Sequence, residues 1–358
     1  MLNEIKQLIE SDQLSGFRGY KAGHRGGPMV QRFEQTIADY FGVKYAIVFN
    51  SATAALHSAL IACGIKAGDN VIVSPYSFTA SASCILQAGA NPLFADIDAD
   101  SFCVAPANVQ ALLTANTVKA ILPVHLCGNV ADMDALKEIA GSIPIIEDAA
   151  QALGAKYKGK YAGTIGNCGI FSFNQSKNIS TGEGGCLITD DGDIAERAML
   201  VRNHGEVVEP DAGIVGWNYR MTEIEACIGY HRFLRLDEVN NYRSRMAQYI
   251  TENLLTTTTA NPPVVSDNVK HSYYTYAIKF PNDDALDFCN RMEAKGISLK
   301  VGYVKPLNLL PAYGKDTQKC PVAKDMWQSK LVVTDIIKEP KKRVEKFVSA
   351  AMEVLNVR

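Results

Sequence analysis

Gly169-Ile170-Phe171-Ser172-Phe173-Asn174-Gln175-Ser176-Lys177, followed by Thr181-Gly182-Glu183-Gly184-Gly185, decides how this chain is read. Its first five residues are a continuous apolar run with the length of a buried strand. A lysine beside such a strand costs free energy unless it is neutral, paired or used covalently. A second apolar run, Pro144-Ile145-Ile146, ends in Glu147-Asp148-Ala149-Ala150-Gln151. One strand thus ends in an amine and another in a carboxylate.

Outward from these two strands, apolar runs alternate with helical periodicity from about residue 29 to 205. A helix is expected from Met29 to Phe41, with Pro28 at its first position. Strands are expected at Tyr45–Phe49, Asn70–Val73, Pro92–Ala95, Lys119–Val124 and Ile143–Ile146. Helices are expected between them at Ala52–Cys63, Thr79–Ala88, Pro106–Thr114 and Asp132–Ala140. Short continuous strands in βαβα alternation predict an α/β fold: a large domain, residues 1–235, with a mostly parallel sheet covered by helices on both faces. Ligands of such folds sit at the carboxyl ends of the strands.

Beyond, a helical pattern runs from Thr222 to about Leu255, and the Thr-, Pro- and Asn-rich Thr256–Asn268 reads as a loop. Strands are expected at Tyr273–Phe280 and Ile297–Val304, and helices at Asp284–Lys295 and Pro340–Val357. These make a small α+β C-terminal domain, residues 236–358.

The 358 residues are 47% apolar, enough for a large core, and the net charge is −2. No basic stripe points to nucleic acid. No apolar stretch has the length of a membrane span, and Met1–Ser11 lacks the apolar centre of a secretory signal. The nine cysteines include no C-x-x-C pair and mostly sit among apolar neighbours, which suits buried thiols in a reducing cytoplasm.

An amine and a carboxylate at two strand ends are the pair that pyridoxal phosphate chemistry needs. The lysine forms a Schiff base and the carboxylate holds the pyridinium proton. Other strand ends carry further candidates. Asn50-Ser51-Ala52-Thr53 opens a helix, where Ser51 is a good cap and free N–H groups also suit a phosphate. Phe78 at the end of another strand fits either the core or a stack on a ring. His125 fits either a satisfied structural residue or a catalyst. Gly182-Glu183-Gly184-Gly185 gives a backbone free to turn or to approach a ligand.

Taken together, the chain resembles the sugar aminotransferases of the DegT/DnrJ/EryC1/StrS family. The resemblance rests on Asn50–Thr53, Pro75-Tyr76-Ser77-Phe78-Thr79-Ala80-Ser81, Pro123-Val124-His125-Leu126-Cys127-Gly128 and Glu147–Gln151. It continues in Ser172-Phe173 with Lys177, Thr181–Gly185, and Gly216-Trp217-Asn218-Tyr219-Arg220-Met221-Thr222-Glu223. Seven pieces in the family's order span roughly residues 26 to 235, and the C-terminal third matches loosely.

The resemblance implies the aspartate-aminotransferase fold and pyridoxal 5′-phosphate as cofactor. Lys177 would carry the Schiff base, Asp148 would pair with the ring nitrogen and Gln151 would bond the ring hydroxyl. Ser51, Ala52 and Ser172 would hold the phosphate, and Phe78 would stack on the ring. Asn218 would reach the phosphate of the neighbouring subunit, which implies a homodimer with shared sites.

Lysine rather than histidine at position 177 selects transamination over dehydration within the family. The expected reaction moves the amino group of glutamate to a nucleotide-linked keto-sugar, as in surface-polysaccharide biosynthesis. Thr181–Gly185 resembles members that aminate C4 of 4-keto-6-deoxy sugars; a 3-keto-sugar is the neighbouring alternative. Leu14–Gly19 with Gly26-Gly27-Pro28 is similar to the aminocyclitol branch, whose acceptor is a keto-inositol. A member that senses a ligand without catalysis is a third reading, against which Lys177, Asp148 and Gln151 argue.

Two departures from the family lie in the C-terminal part, where the resemblance implies contacts to substrate. Lys305-Pro306-Leu307-Asn308 has asparagine where the family often has histidine, and Leu331-Val332-Val333-Thr334-Asp335 replaces a Leu-Pro segment. Tyr303, Lys305 and the Lys21–Arg25 loop fit either contacts to a diphosphate or solvated surface residues.

Overall fold

A computed structural model of the protein describes residues 1–17, 25–206, 214–254, 257, 259–313 and 319–356. An amphipathic helix, α1 (Leu2–Glu10), precedes α2 (Pro28–Phe41), which has Pro28 in its first turn and ends at Gly42 with φ +68°. The chain then alternates as β1 (Tyr45–Phe49), α3 (Ala52–Ala62), β2 (Asn70–Val73), α4 (Ala80–Gln87) and β3 (Asn91–Phe94). It continues through α5 (Pro106–Ala115), β4 (Ala120–Leu122), α6 (Met133–Ala140) and β5 (Ile146–Asp148). A small hairpin of β6 (Lys156–Tyr157) and β7 (Lys160–Tyr161) leads to β8 (Cys168–Ser172), β9 (Gly185–Thr189) and α7 (Gly192–Arg202).

Strand order is β3-β2-β4 and β5-β8-β9-β1, and parallel bridges Ile121–Ile145 and Val124–Asp148 join the two runs. All strands point one way except β9, which is antiparallel to β1 and β8. This is the mostly parallel sheet the sequence predicts.

Strand side chains alternate between faces, and here both faces are apolar. Ala46, Val48, Ile72, Ile121, Phe171 and Ile188 join α2, α6 and α8 residues in one core; Ile47, Phe49, Val71, Val73, Ile170 and Leu187 join α3, α4 and α7 residues in another. The continuous apolar strands follow from that double burial.

The helical pattern after Thr222 is two helices, α8 (Glu223–Phe233) and α9 (Leu236–Leu254). Thr222 and Glu225 form a reciprocal capping box on α8, and Asp237 and Glu238 in the first turn of α9 favour a second helix start. A short strand, β10 (Val269–Lys270), pairs with β6. Then come β11 (Tyr276–Lys279), α10 (Ala285–Glu293), α11 (Pro321–Asp325), β12 (Leu331–Thr334) and α12 (Lys341–Asn356). A third apolar cluster, built from residues between Met246 and Leu355, holds this part together.

Two expectations change here. Ile297–Val304 is not a strand: only Val301 and Gly302 bridge to Val332. Gly302 has φ +75°, which breaks the extended alternation, and Pro306 follows shortly after. The strand that pairs with β11 is instead β12, in the segment read only as a departure from the family.

The start of α2 is closed from a distance. Glu223, almost fully buried, accepts from the Gly27 N–H at 3.1 Å and the Met29 N–H at 2.8 Å. A carboxylate there also complements the helix dipole. Glu223→Ala leaves two buried donors without that partner, so the urea midpoint is expected to fall by the equivalent of about 1–3 kcal/mol.

Candidate active site

The carboxyl ends of β1, β2, β5 and β8 open on one cavity of about 460 Å³. Its wall includes Ser51, Ala52, Phe78, Asp148, Gln151, Ser172 and Lys177. Seven of the eight residues singled out in the sequence are therefore together. Asn218 is not in this wall; its carbonyl accepts from Asn50 Nδ2 at 3.2 Å, beside the strand end that leads into α3.

Ser51 caps α3, with its Oγ accepting from the Ala54 N–H at 3.1 Å. The Ala52 and Thr53 N–H groups at the same helix start have no partner within the helix, and both residues line the cavity. Gly185 at the start of β9 passes so close that a Cβ there would lie 2.4 Å from Ala52 N. Glycine is what lets the strand press against the helix start.

Glu147 and Asp148 are neighbours on β5 and point opposite ways. Glu147 accepts from the N–H groups of Gly163, Ile165 and Gly166 at 2.8, 2.6 and 2.5 Å and pairs with His125 Nε2 at 2.8 Å. His125 Nδ1 accepts from the Ala131 N–H at 3.2 Å, so in the neutral ring Nε2 carries the proton. His125 is fully buried and structural.

Asp148 faces the cavity. Its Oδ2 accepts from Ser81 Oγ at 2.7 Å, its Oδ1 from the Ala150 N–H at 3.2 Å, and Ser77 Oγ stands 2.7 Å from Ser81 Oγ. Burial pushes its carboxyl up, while the Ser81 and Ala150 bonds and the positive Lys177 pull the other way. Gln151 is fixed by accepting from the Cys127 N–H at 2.9 Å and donating to Tyr303 Oη at 3.0 Å, which leaves one Nε2 hydrogen. Cys127 adopts φ +59° to make this bond, strain located at the site.

Lys177 lies in the loop between β8 and β9. Phe173 N–H donates to Gly184 O and Thr181 N–H to Phe173 O, each at 2.9 Å, so the loop closes on itself. The Lys177 Nζ lies over the Tyr274 ring, 4.2 Å from its centre. Desolvation lowers its pKa to about 8, against the pull of Asp148. A neutral amine is the attacking form, so capture of pyridoxal phosphate by the apoprotein is expected to quicken about tenfold per pH unit below about 8 and level off above it. Rapid-mixing absorbance measures this, and a rate flat with pH contradicts it.

Sequence reasoning missed Lys300, Tyr274 and Thr275, which also line the cavity, and Ser81, which was quoted but given no role; Val333 and Asp335, in the segment expected near substrate, line it too. Tyr303 lines it as one reading expected; Lys305 does not, and lies over Trp327 at 5.7 Å. Phe78 is 59% exposed at the cavity edge rather than in the core. Of the Lys21–Arg25 loop, residues 21–24 lie outside the described residues. Asn308 is buried and outside the cavity wall. All nine cysteines are free and eight are buried. No helix among the described residues is long and apolar enough to cross a membrane.

The model of the DegT/DnrJ/EryC1/StrS aminotransferase family matches residues 12–344. A GDP-perosamine synthase of Caulobacter vibrioides is 38% identical over 297 residues, covering 80% of this chain and 79% of that protein. An L-glutamine:2-deoxy-scyllo-inosose aminotransferase of Streptomyces fradiae is 39% identical over 267 residues, 70% of this chain and 62% of that one. The crystal structure of DesV from S. venezuelae, in complex with a ketimine intermediate, superposes with a TM-score of 0.89 at 29% identity, covering 99% and 94% of the two chains.

Proposed function

The chain belongs to the DegT/DnrJ/EryC1/StrS aminotransferase family, and from that premise we propose that it transfers the amino group of glutamate to a nucleotide-linked keto-sugar. It is an aminotransferase, and its cofactor is pyridoxal phosphate. The observation that carries the reading is the meeting of Lys177 and Asp148 in one cavity that also contains a helix start.

The residues fit that cofactor. Ser51, Ala52 and Ser172 would hold its phosphate, Phe78 its ring face, Gln151 its hydroxyl and Asp148 its ring nitrogen, with Lys177 as the attached amine. When bound, its ring accepts the electron pair left as a proton leaves the α-carbon of the donor. Asp148, as the carboxylate, would keep a proton on the ring nitrogen. Lys177 would be the general acid–base that moves a proton between the donor Cα and the cofactor C4′. Asn218 would contribute to the phosphate site of a second copy, and light scattering at twice the 38.9 kDa chain mass is the expected result. The nine free thiols suit the cytoplasm.

Position C4 of a 4-keto-6-deoxy sugar is the favoured acceptor carbon, supported by the Thr181–Gly185 sequence. The relative named as a GDP-perosamine synthase supports a nucleotide-linked acceptor. A keto-inositol acceptor is the second reading, favoured by the 39% identical inosose aminotransferase, whose named donor is glutamine. The test pairs glutamate or glutamine with nucleotide-linked 4-keto- and 3-keto-sugars and with 2-deoxy-scyllo-inosose, reading products by mass. Amination of the 4-keto-sugar from glutamate is expected. Product from the inosose alone overturns the nucleotide-sugar reading, and product from the 3-keto-sugar alone overturns C4.

A further inference from the structure

Between β12 and α12, a single 3-10 turn (Ile336–Lys338) brings the C-terminal part against the loop that carries Lys177. Lys338 Nζ donates to the Ser176 carbonyl at 2.9 Å and pairs with Asp335 Oδ2 at 3.0 Å. It also lies over the Tyr274 ring, 4.6 Å from its centre, the ring that Lys177 Nζ meets at 4.2 Å. Tyr274 Oη is 2.9 Å from Ser176 Oγ, so ring, carbonyl and both ammonium groups form one cluster.

We propose that Lys338, with Asp335 as its counter-ion, is a positioning residue for Lys177: it anchors the peptide just before that lysine and stations a second positive charge beside its amine. The inference rests on reading Lys177 as the amine that takes the cofactor.

The geometry gives Lys338 two effects. Its bond to Ser176 O fixes the carbonyl adjoining Lys177, which limits where the Lys177 side chain starts. Its charge disfavours a proton on Lys177, because two like charges facing one aromatic ring repel. A lysine beside another cation is a known way to obtain a nucleophilic amine near neutral pH. The charged and titratable groups that act on Lys177 are Asp148 from β5, Cys127 after β4, and Asp335 and Lys338 from this turn. Those acting on Lys338 are Asp335 and Arg243 of α9. Asp148 and Asp335 favour the protonated amine and Lys338 opposes them. Lys338 is 19% exposed and Asp335 60%, so the carboxylate is the better hydrated of the two and screens less than a buried partner would.

The two members of the pair therefore act on Lys177 with opposite sign, which a purely structural role does not produce. The test is trace acetylation of the apoprotein with acetic anhydride from neutral to alkaline pH, with Lys177 modification read by peptide mass spectrometry. Lys338→Met is expected to raise the Lys177 midpoint by about half a unit to one unit, a roughly threefold to tenfold loss of labelling at neutral pH. Asp335→Asn is expected to move it the other way, and Lys338→Arg to stay near the parent. Shifts of Lys338→Met and Asp335→Asn in the same direction, or no shift in either, overturn the proposal. Borohydride trapping of pyridoxal phosphate on Lys177 is scored separately. Its failure sinks the functional reading, while the labelling still decides the role of Lys338.

Discussion

Lys177→Ala is expected to lower transamination by about 10⁴-fold, whichever acceptor is supplied. On the proposed reading two roles would disappear together: the covalent seat of the cofactor and the base that moves the proton between donor and cofactor. The rest of the cavity keeps its form, because the Ser51 cap, the Ser81–Asp148 bond and the Cys127–Gln151 bond do not involve Lys177. Removing a desolvated amine costs the fold little. The variant is thus expected to bind pyridoxal phosphate reversibly, lose it on dialysis, and show no borohydride-stable mass increase. Single-turnover absorbance with glutamate separates the two losses. A variant that reacts with glutamate at the parent rate places the catalytic amine elsewhere.

Asp148→Asn is expected to leave the fold intact and slow the donor half-reaction by about 10²–10³-fold. Asparagine can keep both local bonds. Its Oδ1 accepts from the Ala150 N–H, and its Nδ2 donates to Ser81 Oγ, which turns its own proton toward Ser77. What would be lost, on the proposed reading, is the carboxylate charge, and with it the proton on the ring nitrogen. Unchanged thermal unfolding with a slowed half-reaction is the expected pair of results. An unchanged rate means that this carboxylate does not hold the ring proton.

The centre of the site is legible in the sequence because its parts lie at strand ends. Apolar runs locate β5 and β8, and the residues just beyond them, Asp148, Gln151 and Lys177, fall at the same edge of the sheet in any parallel arrangement. The outer wall is not legible in that way. Asp335 and Val333 reach the cavity because β12 pairs with β11, and the sequence pattern favoured residues 297–304 as the strand instead. Tyr274 and Thr275 line the cavity because Tyr273 takes φ +47° and the strand begins only at Tyr276, although alternation runs on from Tyr273. Position φ and long-range pairing leave no local mark. Ser81 shows a third kind of gap: it stood in a recognised motif, but its value lies in a bond across 67 residues.

The loop around Lys177 has a mechanical side. Its two feet, Ser172 and Gly185, stand opposite each other in the sheet, and Gly185 is pressed against the helix start at Ala52. On the proposed reading, the cofactor would be held by its phosphate near Ser172 and Ala52 and covalently through Lys177, so both attachments would lie on this one loop and at its feet. The ordering entropy of that short span would then be shared by both attachments rather than met by either alone, so each grip would make the other easier to form.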